Sequence, residues 1–204
     1  KHSRAFSRSA EVLVEEYMEG QEVSVETLTV DGVCHVIQIT DKITTGAPHF
    51  VEMGHTQPSA LSEEIKEQIA QVAKAANRAI GIDNGPSHTE IIVTADGPKI
   101  VELGARLGGD CITTHLVPLS TGVDMVGCCI RIAMGEKPDI TPKFSKASAI
   151  RYLPTPAGTI RSISGVREAE SIPGIRQVSL VYGVGDVLRP VESSADRLGF
   201  VIAQ

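Results

Sequence analysis

Apolar residues recur along this chain in two rhythms that change from segment to segment. Glu22 to Val30 alternates apolar and polar residues, and the alternation resumes from Val33 to Thr40 after the turn Asp31-Gly32. A period of two on both sides of an Asp-Gly turn predicts a β-hairpin. Ahead of it, Glu11 to Glu15 is a short apolar run that reads as a strand, and behind it Lys42 to Pro58 carries Gly46, Pro48, Gly54 and Pro58 and predicts an irregular segment. A helix follows, with Ser62 as N-cap, Glu63 and Glu64 in its first turn, Ile65, Ile69, Val72, Ala76 and Ile80 at helical spacing, and Gly81 as its stop. A second hairpin pairs the run His88 to Val93 with Lys99 to Leu103 around Ala95-Asp96-Gly97-Pro98, and a second helix runs from Gly122 to Met134, closed by Gly135. From Ser148 onward the runs are short and β-like (149–153, 158–164, 178–181, 200–203), punctuated by Pro and Gly. The pattern predicts an α+β fold in two parts: residues 1–146, an antiparallel sheet with flanking helices, and residues 147–204, a small β-rich module.

Composition narrows this picture. With 3% aromatic residues and no tryptophan among 204 positions, the core must be built from Val, Ile, Leu and Ala. A net charge of −6, with no Lys/Arg cluster interleaved with aromatics, argues against nucleic acid as a partner. No stretch reaches the roughly twenty apolar residues of a membrane span and no apolar leader is visible, so a cytoplasmic location without a membrane partner is expected. Cys34, Cys111, Cys128 and Cys129 lack the spacing of a metal knuckle or a disulfide framework and read as buried free thiols. Lys1 to Ser9 is basic and polar without a start residue, and the chain stops at Gln204 directly after an apolar run, which reads as a fragment.

The candidate chemistry sits on the second hairpin. Val101-Glu102-Leu103-Gly104-Ala105-Arg106 runs an apolar strand into a carboxylate, an arginine and the glycine-rich turn Gly108-Gly109-Asp110, and Glu90 lies on the neighbouring strand. Position about the turn makes Glu90 and Glu102 near cross-strand partners, and facing like charges are destabilising unless neutralised. A divalent cation would do so, and paired carboxylates suit magnesium or manganese. Seen alone, the hairpin reads first as two solvated glutamates.

With these blocks placed, the chain resembles the C-terminal half of an ATP-grasp enzyme, most of all the L-amino-acid ligase and carboxylate-amine ligase branch. The stretch Val12-Leu13-Val14-Glu15-Glu16-Tyr17-Met18-Glu19-Gly20-Gln21-Glu22 looks like the family's adenine hinge. That likeness implies that Glu15, Glu16, Tyr17 and Met18 line an adenine pocket and that Glu22 takes the ribose hydroxyls. It implies that Glu90 and Glu102 hold magnesium, and that Arg106 stabilises an acyl-phosphate or its transition state. The family often places an asparagine two residues after the second glutamate; here that position is Gly104, so one metal ligand is absent. Glu52-Met53-Gly54-His55 matches the loop on which a glutamate and a histidine face the phosphorylated carboxylate and the amino group, so His55 is implied as catalytic and Glu52 as a substrate contact. His88 and His115 border this arrangement, while His2, His35 and His49 gain no support. Asp110 either meets a substrate ammonium or caps the helix after Gly109.

The likeness implies an ATP-dependent ligase that forms an amide or peptide bond through an acyl-phosphate, with ATP, magnesium or manganese, and small carboxylate and amine substrates such as amino acids. It leaves a homodimer open. The glycine-rich loop and the two phosphate-binding lysines of the family lie upstream of the hinge, so the chain by itself is expected to be inactive. Two alternatives stay open: a carbamoyl-phosphate synthetase, biotin carboxylase or purine-biosynthesis type of the same superfamily, and a regulatory or assembly module without catalysis.

Overall fold

The computed structural model describes residues 4, 5 and 7–204; of the polar N-terminal stretch, Lys1 to Ser3 and Phe6 lie outside the described residues. The first hairpin forms as β1 (Gln21–Val30) and β2 (Val33–Thr44), followed by β3 (Glu52–Gln57) and α1 (Glu63–Ala79). The second hairpin is β4 (Gly85–Thr94) and β5 (Gly97–Gly104). A π-helical turn (Ile112–Leu116) then leads into α2 (Val117–Thr121) and α3 (Met125–Ala133). The rest comprises β6 (Ser148–Tyr152), β7 (Gly158–Thr159), α4 (Val166–Glu170), β8 (Ile175–Leu180), β9 (Val187–Leu188) and β10 (Gly199–Ala203).

Eight strands make one antiparallel sheet in the order β5-β4-β1-β2-β3-β6-β10-β8, and β7 and β9 form a separate ribbon. Since β3 pairs directly with β6, Gly54 opposite Arg151 and Gln57 opposite Ser148, the sheet runs without a break across the 146/147 division, and both parts share it.

Helix α1 starts where the sequence predicts, with the Ser62 hydroxyl accepting from the Ile65 amide and two glutamates at its positive end. Its buried stripe, Ile69 and Ala73, packs on Val23, Val25, Ile39 and Ile91 from one face of β1, β2 and β4. The other face packs Leu28, Ile37, Ile150 and Ile202 beneath Ile112, Leu116, Val117, Met125 and Cys128. The four cysteines are free, with Cys128 buried and the other three partly so. Among the described residues no single helix is long and apolar enough to cross a membrane.

Four expectations need correction. Glu11 to Glu15 forms no strand: Leu13 is 86% and Val14 94% exposed, and no strand among the described residues pairs with the run. The segment 42–58 is not irregular throughout, because β2 continues to Thr44 and Glu52–Gln57 is a strand. That strand reads EMGHTQ, without apolar alternation: Met53 packs against the hydrophobic cluster, while Glu52 and His55 lie beside Lys42 and Asp110. The second helix begins at Met125, not Gly122, because the Asp124 carboxylate accepts from the Gly127 amide and starts it there. Of the run 158–164 only Gly158 and Thr159 form a strand.

Candidate functional site

Strand parity assembles the site. On β1, Val23 and Val25 face α1, so Glu22 and Glu26 face the opposite side. On β4, Ile91 faces α1, and His88 and Glu90 therefore share the face of Glu22 and Glu26. Glu26 pairs with His88 across β1 and β4, Lys42 pairs with His55 across β2 and β3, and Glu90 pairs with Glu102 across β4 and β5. One face of five adjacent strands thus collects these groups.

The Glu90–Glu102 pairing depends on a β-bulge. Ile91 pairs with Ile100, yet the next pair is Glu90 with Glu102, which leaves Val101 as an extra residue on β5. In unbroken register Glu90 would face Val101. The repulsion expected between the two carboxylates is met by protein cations: Lys42 Nζ lies 3.1 Å from Glu90, and Arg106 Nη2 lies 3.6 Å from Glu102.

Lys42 is the hub, and it stood in the sequence without a role. Its side chain is 3% exposed, donates to Glu22 and lies 3.5 Å from Glu52. Burial works against its charge, but the hydrogen bond to Glu22 and the fields of Glu90, Glu22 and Glu52 prevail and raise its pKa. A second charged chain backs Glu90. His88 Nδ1 lies 2.6 Å from an oxygen of the fully buried Glu26, and His88 Nε2 lies 3.4 Å from Glu90. Burial opposes the imidazolium, but its bonds to Glu26 and Glu90 lift it to about 9; the bond from His88 in turn draws Glu90 down to about 2, against its burial and with help from Lys42. Gly108 closes over this pair: a Cβ there would lie 2.7 Å from His88 Nδ1 and 2.8 Å from the Glu26 carboxylate.

Two cavities meet at Lys42. The larger, about 590 Å³, is walled by Tyr17, Met18, Glu22, Lys42, Phe50, Ile92 and Val101. The smaller, about 170 Å³, is walled by Lys42, Glu52, His55, His88, Glu90, Arg106, Gly109, Asp110, Ile112 and Ser194. Of the sequence candidates, Tyr17, Met18 and Glu22 fall in the first cavity and Glu52, His55, Glu90, Arg106 and Asp110 in the second. Glu15 and Glu16 are exposed and line neither, and Glu102 stands outside both walls, opposite Glu90. His88 borders the site; His115 does not line it and bonds Thr114.

Asp110 has partners the sequence did not suggest. Arg197, 87 residues on, grips both its oxygens, and His55 Nε2 lies 3.2 Å from Oδ2. Despite burial, these bonds hold its carboxyl well below the usual range. It caps no helix, since Cys111 occupies the cap position of the following turn with no side-chain bond. Glu26, Lys42 and Arg197 were missed; strand parity from the first hairpin could have flagged Glu26 and Lys42, whereas no local signal marks Arg197.

Family comparison identifies the chain's relatives. Residues 1–114 match the ATP-grasp domain, and residues 151–204 match the L-amino acid ligase C-terminal domain 2. The chain belongs to the ATP-grasp family. It is 28% identical over 189 residues to the L-arginine-specific L-amino acid ligase of Bacillus subtilis, a match covering 90% of this chain and 45% of that protein. An uncharacterized protein of Sinorhizobium fredii is 32% identical over 196 residues, covering 96% of this chain and 40% of the relative. The crystal structure of an L-amino acid ligase from Bacillus licheniformis superposes with a TM-score of 0.81 at 27% identity, over 92% of this chain and 49% of that one. The chain therefore spans about half the length of the relatives it matches.

Proposed function

We propose that this chain forms the nucleotide- and acyl-phosphate-handling part of an ATP-dependent ligase that joins a carboxylate, an amino acid above all, to an amine. In the first half-reaction a carboxylate oxygen attacks the γ-phosphorus of ATP and ADP leaves. In the second an amine nitrogen attacks the acyl carbon, phosphate leaves, and the nitrogen gives up a proton. The observation that carries this reading is the pair of cavities sharing Lys42: one sized and lined for a nucleoside, the other small, polar and ringed by charges. Tyr17, Met18 and the walls beside them would take the adenine and Glu22 the ribose.

Glu90 and Glu102 suit a hard divalent cation, being oxygen donors set opposite each other, and magnesium needs only one or two carboxylates beside phosphate oxygens and water. Held there, magnesium or manganese would supply neutralisation of phosphoryl charge. Arg106 offers a planar fork to the same oxygens, a role an ammonium fills poorly. His55 would contact the reacting carboxylate, and Glu52 the substrate ammonium. Asp110, already committed to Arg197 and His55, is better placed to orient His55 than to receive an ammonium.

An amino-acid panel scored by ATP-dependent phosphate release in the full-length protein tests this reading. Release stimulated by particular amino acids, with a new amide detected by mass spectrometry, is the expected result. Stimulation by bicarbonate alone would point to the carboxylase type, and no stimulation by any carboxylate would overturn the ligase reading.

A further inference from the structure

The small cavity takes one wall from the C-terminal part of the chain, at Ser194, and Arg197 stands three residues beyond it. Every nitrogen of that guanidinium is used. Nε donates to the Ser194 carbonyl at 3.0 Å, Nη1 donates to Asp110 Oδ2 at 2.8 Å and to the Glu52 carbonyl at 3.1 Å, and Nη2 donates to Asp110 Oδ1 at 2.9 Å. Its flat face lies 3.7 Å over the Tyr152 ring, a cation–π contact in a desolvated setting. One side chain thus ties together β3, the turn after β5, β6 and the C-terminal 3₁₀ turn Ser194–Asp196.

What it grips matters. Asp110 and Cys111 both sit in the left-handed region, at φ 49° and 61°, which non-glycine residues occupy in succession only when their surroundings hold them there. Asp110 spends the conformation on two contacts, the fork of Arg197 and Nε2 of His55. His55 is 1% exposed, yet its other ring nitrogen, Nδ1, has no hydrogen-bond partner in the protein. Buried polar atoms are nearly always paired, and this unpaired nitrogen belongs to a side chain that lines the small cavity.

We propose that Arg197 is a positioning residue of the ligase reaction: by holding both oxygens of Asp110 it sets that carboxylate against His55 Nε2, fixes the imidazole with Nε2 protonated, and leaves Nδ1 to meet the reacting carboxylate or amine. The proposal rests on the ligase reading given above and assigns the C-terminal part a task in it. Arginine is required because the fork binds two oxygens and a carbonyl at once while its face stacks on Tyr152, and lysine offers only a point charge.

Three measurements on the full-length protein test it. In the ¹⁵N spectrum of the unmodified enzyme, His55 should carry its proton on Nε2; a deprotonated Nε2 overturns the proposal whatever the variants do. Arg197→Lys and Asp110→Asn should each lower kcat for amino-acid-dependent phosphate release by about 10- to 100-fold, as loss of an outer supporting contact commonly does, with ATP affinity kept within about threefold. In the His55→Ala background Arg197→Lys should cost less than about twofold more, because the residue it orients is gone. Unchanged kcat in both single variants, or an equal further loss in the His55→Ala background, refutes the role of Arg197. If His55→Ala itself turns over normally, it is the ligase assignment of His55 that fails.

Discussion

The two faces of β1 and β4 use the same strands to opposite ends. Toward α1, Val23, Val25 and Ile91 are fully buried among other hydrocarbon, and each gains from leaving water without needing a particular partner. On the reverse face, one residue along, Glu26 and His88 are buried and Glu22 and Glu90 partly so, and each has a named partner within hydrogen-bond reach. The first face tolerates exchange of similar shapes. The second is a chain in which Glu26 supports His88, His88 supports Glu90, and Glu90 shares Lys42 with Glu22. Oriented charges arranged before substrate arrives are what stabilise a phosphoryl group as its charge spreads.

The largest expected break is on the charged face. Glu26→Ala leaves the His88 charge buried with one partner fewer, and denaturant titration should register a loss of about 3–5 kcal/mol. A loss smaller than that of the conservative change Ile91→Val on the opposite face would contradict the contrast between them. Next, on the proposed reading that Glu102 would hold a phosphate-bound cation, Glu102→Gln should lower turnover at least about a hundredfold while ATP affinity stays within a few-fold, because such a ligand acts chiefly in the transition state. Turnover within about tenfold of the unmodified enzyme would remove Glu102 from the metal site.

A pH series sharpens the same comparison. The His88 pKa rises from an ordinary 6.5 to about 9 in the folded protein. A raised imidazole contributes stability that is fully present below about pH 6.5 and is lost as the pH climbs through about 9, a change of up to about 3 kcal/mol. Thermal midpoints measured with chelator should fall across that alkaline window in the unmodified protein and stay flatter in His88→Gln; identical slopes would exclude the pair as the cause. The smallest effect belongs to the apolar face, where Ile91→Val removes one methylene from a packed site and should cost about 1 kcal/mol with turnover unchanged.

Features set by neighbouring residues are legible in the amino-acid sequence itself. The turn Asp31-Gly32, the Ser62 cap and the hairpin of β4 and β5 all follow from spacings of a few positions, whereas the facing of Glu90 and Glu102 within that hairpin rests on the bulge at Val101, which no spacing marks. The stretch Val12 to Glu15 does not become the strand its apolar run suggests, because a strand needs a neighbour and none pairs with it among the described residues. Lys42 lies two residues past the alternating run that ends at Thr40, within reach of the same parity once the strand is extended to Thr44. Arg197 is beyond reach, since its bond to Asp110 spans 87 residues and follows only from the way β6 and β10 extend the sheet.

The extra residue on β5 has a consequence for what a single strand can serve. A regular strand deals its side chains out by turns, so two successive residues cannot both attend to the same side of the sheet. At Val101 that turn-taking lapses: Val101 walls the larger cavity while its immediate successor, Glu102, stands opposite Glu90. One irregularity of a single residue lets adjacent letters of the sequence serve two compartments, a hydrocarbon wall for the larger cavity and a carboxylate for the charged cluster beside the smaller one. Straightening the strand would force a choice between them.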